Sequence, residues 1–290
     1  VDEAAVTLRL AIAQWRIERP AGVAGWLDRL DREVAGARAA GAEMVLLPEY
    51  AAMEAAAGAA PDLVAELARS VADAPALLDG AARIAARHGV WLVPGTLTFP
   101  RGDGVVSRAP LIAPDGATRF QDKHVMTRFE AERWGIAPGA PPAVFATPWG
   151  RIGISVCFDA EFPTLARAQL EAGAWLILVP ACTDTMHGFH RVRLAAAARA
   201  MEGQCFVALS PTVGEAPWSA ALDRNFGRAG VFGPVDRGFA ADGIVAEGRL
   251  NEPGWLHHAL DPAAPARARE RAAVRNFASW PAPPPPCPVL

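Results

Sequence analysis

Short apolar runs alternate along this chain with longer stretches in which apolar residues return every three or four positions. Residues 6–14 alternate apolar and polar side chains and predict a strand. Residues 26–40 carry helical spacing, and Gly41 stands where a helix C-cap belongs. A short buried strand at 44–47 closes on Pro48-Glu49. The spacing then predicts a helix over 76–88, stopped at Gly89, and an apolar strand over 90–96. Strands at 107–113 and 118–122 flank Pro114-Asp115-Gly116, a hairpin signal. Strands at 143–146 and 151–156 meet at a turn through Pro148-Trp149-Gly150.

Beyond Cys157 the pattern reads helix 163–172, strand 175–179, helix 190–203 and strand 205–209. Further strands are predicted at 229–232, 244–247 and 256–260, with a last helix over 263–271. Helices that alternate with strands, with hairpins between them, predict a layered α/β domain built on mixed sheets rather than a purely parallel one. No internal repeat and no linker divides residues 1–275, which read as one domain. Residues 276–290 form a proline-rich tail whose last part, 281–290, is expected to be extended.

Composition narrows the function classes. With 52% hydrophobic residues a substantial core is available, and a net charge of −3 gives no electrostatic reason to expect nucleic acid or an acidic membrane as partner. No apolar run approaches the roughly 18–20 residues that span a bilayer. Residues 1–13 lack the basic, apolar and small-residue pattern of a leader, so a cytoplasmic location is expected. Cys157, Cys182, Cys205 and Cys287 form neither a C-x-x-C pair nor a zinc-finger spacing, so reduced thiols are expected. Of the 28 basic residues a single one, Lys123, is lysine. A lysine kept in so arginine-rich a chain suggests a task for a compact ammonium that a planar guanidinium cannot perform.

Three apolar strands end at or near a reactive side chain: Glu49 after 44–47, Lys123 after 118–122 and Cys157 after 151–156. Strand ends are rigid and are where α/β folds assemble their sites. Pro163, suited to the first turn of a helix, makes Cys157 the apex of a strand-to-helix turn. A free thiol has a pKa near 8.5, so such a nucleophile needs a base or a cation beside it, and Glu49 and Lys123 supply those two groups.

These segments resemble the nitrilase (carbon–nitrogen hydrolase) superfamily. Leu47-Pro48-Glu49 matches its glutamate segment, and Lys123-His124 its lysine segment, with the histidine one position early. The run from Cys157 through Phe158, Asp159 and Glu161 to Pro163 matches its cysteine segment, with Thr164 where a glutamate is usual. Gln204 follows a run, 198–202, that looks like the family's arginine- and alanine-rich helix. The resemblance implies a four-layer α-β-β-α sandwich, dimers or higher assemblies, and cofactor-free hydrolysis of a small amide, ureido or nitrile compound. Acyl transfer to an amine on the same scaffold is the alternative. It assigns Cys157 as nucleophile, Glu49 as base, and Lys123 with the Phe158 N–H as oxyanion partners.

Many members carry a second glutamate that positions the lysine. Of Glu130 and Glu132, the spacing favours Glu132, nine positions after Lys123 and seven before Gly139. Glu161 pairs with Arg128 or Arg191, or meets an amine-bearing substrate. Thr183 and Asp184, in the stretch after Cys182, are expected at the pocket mouth. A rival reading, a metal-dependent amidohydrolase, would use His187, His190 and Asp184.

Overall fold

The computed structural model describes residues 7–57, 62–102 and 104–281. Val6, Cys287 and the 282–290 part of the tail lie outside the described residues. The chain runs β1 (Leu8–Arg16), α1 (Gly22–Ala39), β2 (Met44–Leu46), α2 (Leu63–His88), β3 (Trp91–Val93), β4 (Leu97–Arg101), β5 (Gly104–Ile112) and β6 (Thr118–Asp122). It continues through β7 (Val144–Thr147), β8 (Gly150–Ile154), α3 (Pro163–Glu171), β9 (Ala174–Ala181), α4 (Met186–Gly203) and β10 (Phe206–Glu215). The last elements are β11 (Arg224–Asn225), β12 (Gly230–Phe232), β13 (Ile244–Glu247), β14 (Gly254–Leu260) and α5 (Ala264–Arg271).

Two mixed sheets face each other. In the first, β14, β1, β2, β3 and β5 lie side by side, with β4 and β6 added to β5. In the second the order is β13-β12-β10-β9-β8-β7. They join where the end of β1 pairs in parallel with β10, Trp15 opposite Thr212 and Arg16 opposite Val213. The alternation in β1 builds the layers. Leu8, Leu10 and Ile12 point into the core shared with the second sheet, and Ala11, Ala13 and Trp15 point to α1 and α2. On the far side β9 is buried along its whole length, one face against the first sheet and the other under α3 and α4. The result is the α-β-β-α sandwich.

Several boundaries differ from the pattern-based expectation for physical reasons. Helix α2 begins at Leu63, not after Pro75, because its buried stripe (Leu67, Ala74, Leu77, Ala81, Ile84) continues through the proline. Helix α4 begins at Met186, where the Thr185 side chain caps it by accepting from the Gly188 N–H. The expected strand over 90–96 stops at Val93, and Gly95 (φ +91°) turns the chain into β4. At the C-terminus the first part of the expected tail is docked on α4 and α5. The Phe277 N–H donates to Gln204 Oε1, and its ring lies under the guanidinium of Arg269 at 3.7 Å. Among the described residues no helix is long and apolar enough to cross a membrane.

Candidate active site

All the strands that feed the site point the same way. β2 is parallel to β1, β1 to β10, β10 to β9 and β9 to β8, while β6 returns to that direction after two antiparallel steps through β5. The carboxyl ends of β2, β6, β8 and β9 therefore open on one edge of the sandwich, two from each sheet. Glu49, Lys123, Cys157 and Cys182 follow those four ends and line one cavity of about 240 Å³.

Local backbone geometry fixes each group. Glu49 sits in a bend anchored by the Leu47 N–H on Val93 O (2.8 Å) and the Tyr50 N–H on Thr96 Oγ1 (3.0 Å). Tyr50 itself is left-handed, at φ 58°. The bend packs so closely on Gly95 that a Cβ there would collide with the Pro48 carbonyl oxygen. Lys123 is held by its N–H on Ser107 O (2.8 Å) and by its carbonyl, which accepts from the Gly139 N–H (2.9 Å). Cys157 is also left-handed (φ 48°) and opens a 3-10 turn, Cys157–Glu161, that leads into Pro163 at the first turn of α3. Such a conformation costs a non-glycine residue energy and is found where a side chain must be aimed. The Asp159 carboxylate stitches the cysteine turn to the lysine loop, accepting from the N–H groups of His124 (3.0 Å) and Val125 (2.7 Å).

At the centre lies Lys123, 1% exposed, with Nζ donating to Glu49 Oε1 at 2.8 Å and to Glu130 Oε1 at 2.6 Å. The same Glu130 oxygen accepts from the hydroxyl of Tyr50 (2.6 Å), and its other oxygen accepts from Thr127 N–H (2.9 Å) and Oγ1 (2.8 Å). Glu49 Oε2 accepts from the Cys182 N–H at 3.2 Å, and the Cys157 thiol lies 3.6 Å from Cys182 O. The Cys157 side chain is near enough to Glu49 to lower its pKa slightly.

Burial sets the electrostatics. It lifts Glu49 to about 7, with the Lys123 ammonium holding it back and the Glu130 charge adding to the rise. Burial works against the Lys123 ammonium, yet the charges of Glu130 and Glu49 prevail and keep its pKa well above the ordinary lysine value. Burial likewise raises Glu130, but Lys123 outweighs it and holds Glu130 below the usual carboxylate range. For Cys157, burial and the Glu49 charge push the thiol well up, so it rests protonated.

Glu132, the position favoured by spacing, is not at the site. The segment Glu130–Trp134 is a π-helical turn, which turns Glu130 inward and leaves Glu132 outside, paired with Arg128. Glu130 takes the place beside Lys123. Glu161 pairs with Arg191 (3.3 Å) on the cavity rim. Phe158 lines the cavity and packs edge-on against Phe162. Thr183 also lines it, although its hydroxyl is already donated to Phe226 O (2.7 Å), and Asp184 is an exposed rim residue. His187 and His190 are exposed, and among the described residues no group of three or more His, Cys, Asp or Glu side chains is assembled for a metal. Cys157, Cys182 and Cys205 are free thiols. Sequence reasoning missed Tyr50, Thr127 and the backbone of Cys182. One signal was available: Tyr50 is the single tyrosine of the chain, next to Glu49.

Residues 9–234 match the carbon-nitrogen hydrolase family, and the chain belongs to that family, within the nitrilase superfamily. It is a carbon–nitrogen hydrolase of the amidase/nitrilase type. It is 34% identical to a probable hydrolase, YhcX, of Bacillus subtilis over 67% of this chain, a match that spans 38% of that longer protein. It is 30% identical to hydrolase MT0498 of Mycobacterium tuberculosis over 92% of this chain and 94% of that one. Among solved structures, an amidase from Nesterenkonia sp. AN1 in complex with butyramide superimposes with a TM-score of 0.72 at 26% identity, over 91% of this chain and 94% of that one. Another structure of the same amidase records Michael addition of acrylamide at its active-site cysteine.

Proposed function

We propose that the chain hydrolyses a small carboxamide through a thioester on Cys157. Glu49 carries the proton, and Lys123 with the Phe158 N–H receives the oxyanion. The observation that carries this reading is the buried ammonium of Lys123, shared between Glu49 and Glu130 in the cavity that holds Cys157.

The resting thiol is protonated, so attack on the carbonyl carbon is coupled to transfer of its proton to Glu49, whose pKa of about 7 suits both taking and returning a proton. As the carbonyl becomes an alkoxide, the Lys123 ammonium neutralises it. In the 3-10 turn the first bond runs from the Asp159 N–H to Val156 O, so the Phe158 N–H precedes it and is free of a partner within the turn. A positioned donor of this kind is worth about 3–4 kcal/mol in the transition state. Protonated Glu49 then gives its proton to the nitrogen, the C–N bond breaks and ammonia or an amine leaves. Glu49 next takes a proton from water, which attacks the thioester. The C–S bond breaks, the acid departs and the sulfur regains its proton. Glu130, held by Tyr50 and Thr127, keeps Lys123 charged and in place throughout.

A small cavity and the amidase relative with bound butyramide favour an amide over a larger acyl compound. Cys157→Ala tests the reading: ammonia release from acetamide, propionamide and butyramide should fall at least about a thousandfold. The unmodified chain, quenched during turnover, should carry the acyl mass on Cys157. Undiminished turnover in the alanine variant would end the thiol mechanism.

A further inference from the structure

Glu66 lies on the first turn of α2, outside the cavity of Cys157, and is 1% exposed. A buried carboxylate is costly unless its oxygens are filled. Its Oε1 accepts from the Ser219 hydroxyl at 2.7 Å, and its Oε2 accepts from the N–H groups of Ala220 (2.9 Å) and Ala221 (3.1 Å). The helix N-terminus around it, capped by Asp62, favours the negative charge.

All three donors belong to one loop, between β10 and β11. That loop is closed at its base by the Ala216 N–H on Asp223 O (2.8 Å) and pinned by the buried side chains of Ala216 and Leu222. Inside it, Ser219 Oγ also accepts from Leu222 N–H at 3.0 Å, so the hydroxyl that reaches Glu66 also orders the loop's own backbone. Ala220 and Ala221, whose amides Glu66 holds, line the cavity of Cys157. This side of the cavity is therefore lined by Ala220 and Ala221, on a loop fastened by a carboxylate from another layer of the sandwich.

We infer that Glu66 is a positioning residue that fixes the Ala220–Ala221 wall and thereby sets the longest acyl chain the site accepts. At about 240 Å³ the cavity falls below the ~300–1,000 Å³ typical of drug-sized ligands. The wall therefore bears on the end of a short, unbranched acyl group. Without the carboxylate, the buried Ser219 hydroxyl and the part-buried Ala220 N–H lose their acceptor, the Ala221 N–H keeps only Ser219 Oγ at 3.3 Å, and the loop moves outward to find water. Longer chains then gain room, while short ones lose contact. The inference rests on the amide reading above.

The experiment measures how well acetamide, butyramide and hexanamide protect Cys157 from iodoacetamide, read by intact mass, alongside ammonia release from the same three. In the unmodified chain, protection should be strong for butyramide and weak for hexanamide. In Glu66→Ala the hexanamide-to-butyramide ratio should rise about tenfold, the scale of one net hydrogen bond. Glu66→Gln, which keeps the shape and an acceptor oxygen, should restore most of the original ratio. Ser219→Ala, which removes one of the three bonds and serves if the first variant does not fold, should move the ratio part of the way. Ala221→Leu should move it in the opposite direction, by filling the space at the wall. A ratio unchanged in both Glu66→Ala and Ser219→Ala overturns the inference, as does an equal weakening of all three amides. An unmodified chain that releases no ammonia, and that no amide protects, ends the amide reading and this inference together. An active chain whose ratio ignores Glu66 ends this inference alone.

Discussion

Glu49, Lys123 and Glu130 form a buried sequence of alternating charge, so burial and the other two groups together set the protonation of each. Lys123→Arg keeps the charge but cannot seat a planar fork between two carboxylate oxygens at 2.8 and 2.6 Å, and turnover should fall at least about a hundredfold. Glu130→Gln should lower turnover at least about tenfold. Glu132→Gln should stay within about twofold, because an exposed i,i+4 pair with Arg128 contributes little. Comparable losses in the two glutamine variants would contradict the geometry. The pH dependence follows from Glu49. In the proposed mechanism Glu49 accepts the thiol proton, and with its pKa raised to about 7 its carboxylate is present above that pH and lost as pH falls through it. The acid limb of kcat/KM should therefore lie near 7 and move to lower pH in Glu130→Gln, where a repelling charge has been removed. At this scale the gathering of Glu49, Lys123 and Cys157 around one cavity was legible, because each stands at the end of an apolar run. The choice between Glu130 and Glu132 was not, because spacing assumes a regular backbone and the π turn changes which side chain faces inward.

The elements were read well where a capping or breaking residue marks them and poorly where packing overrides local preference. Gly41 and Gly89 end their helices as the pattern requires, both in the left-handed region. Pro75 misled, since the missing N–H costs one bond while the buried stripe of α2 keeps many contacts. The turn between β3 and β4 was absorbed into a strand because Pro94-Gly95 follows an apolar run without a polar interruption. That turn carries its own prediction. Gly95→Ala combines a φ of +91° with a collision on the Pro48 carbonyl, so it should cost about 2–4 kcal/mol in denaturant unfolding and lower turnover by displacing Glu49. An alanine variant of normal stability would show that the Glu49 bend has slack that the packing does not suggest.

For the whole molecule, alternating elements announced a layered α/β domain, but which strands would meet across the chain had no local signature. The parallel contact between β1 and β10 rests on residues about two hundred positions apart. The Ser210 hydroxyl beside it donates to Ala13 O (2.7 Å), a bond that only the assembled fold reveals. The union of two sheets at a single seam has a consequence for how this protein tolerates change. Carboxylate and ammonium ride on one slab, sulfur on the other, so in the proposed reaction the gap between them is a property of the filling between the slabs. A core substitution that swells or thins that filling by a fraction of an ångström can leave a sound, cooperative protein whose reactive atoms no longer meet. Turnover is then the most sensitive gauge of interlayer thickness the molecule has, and it should fail before the fold does.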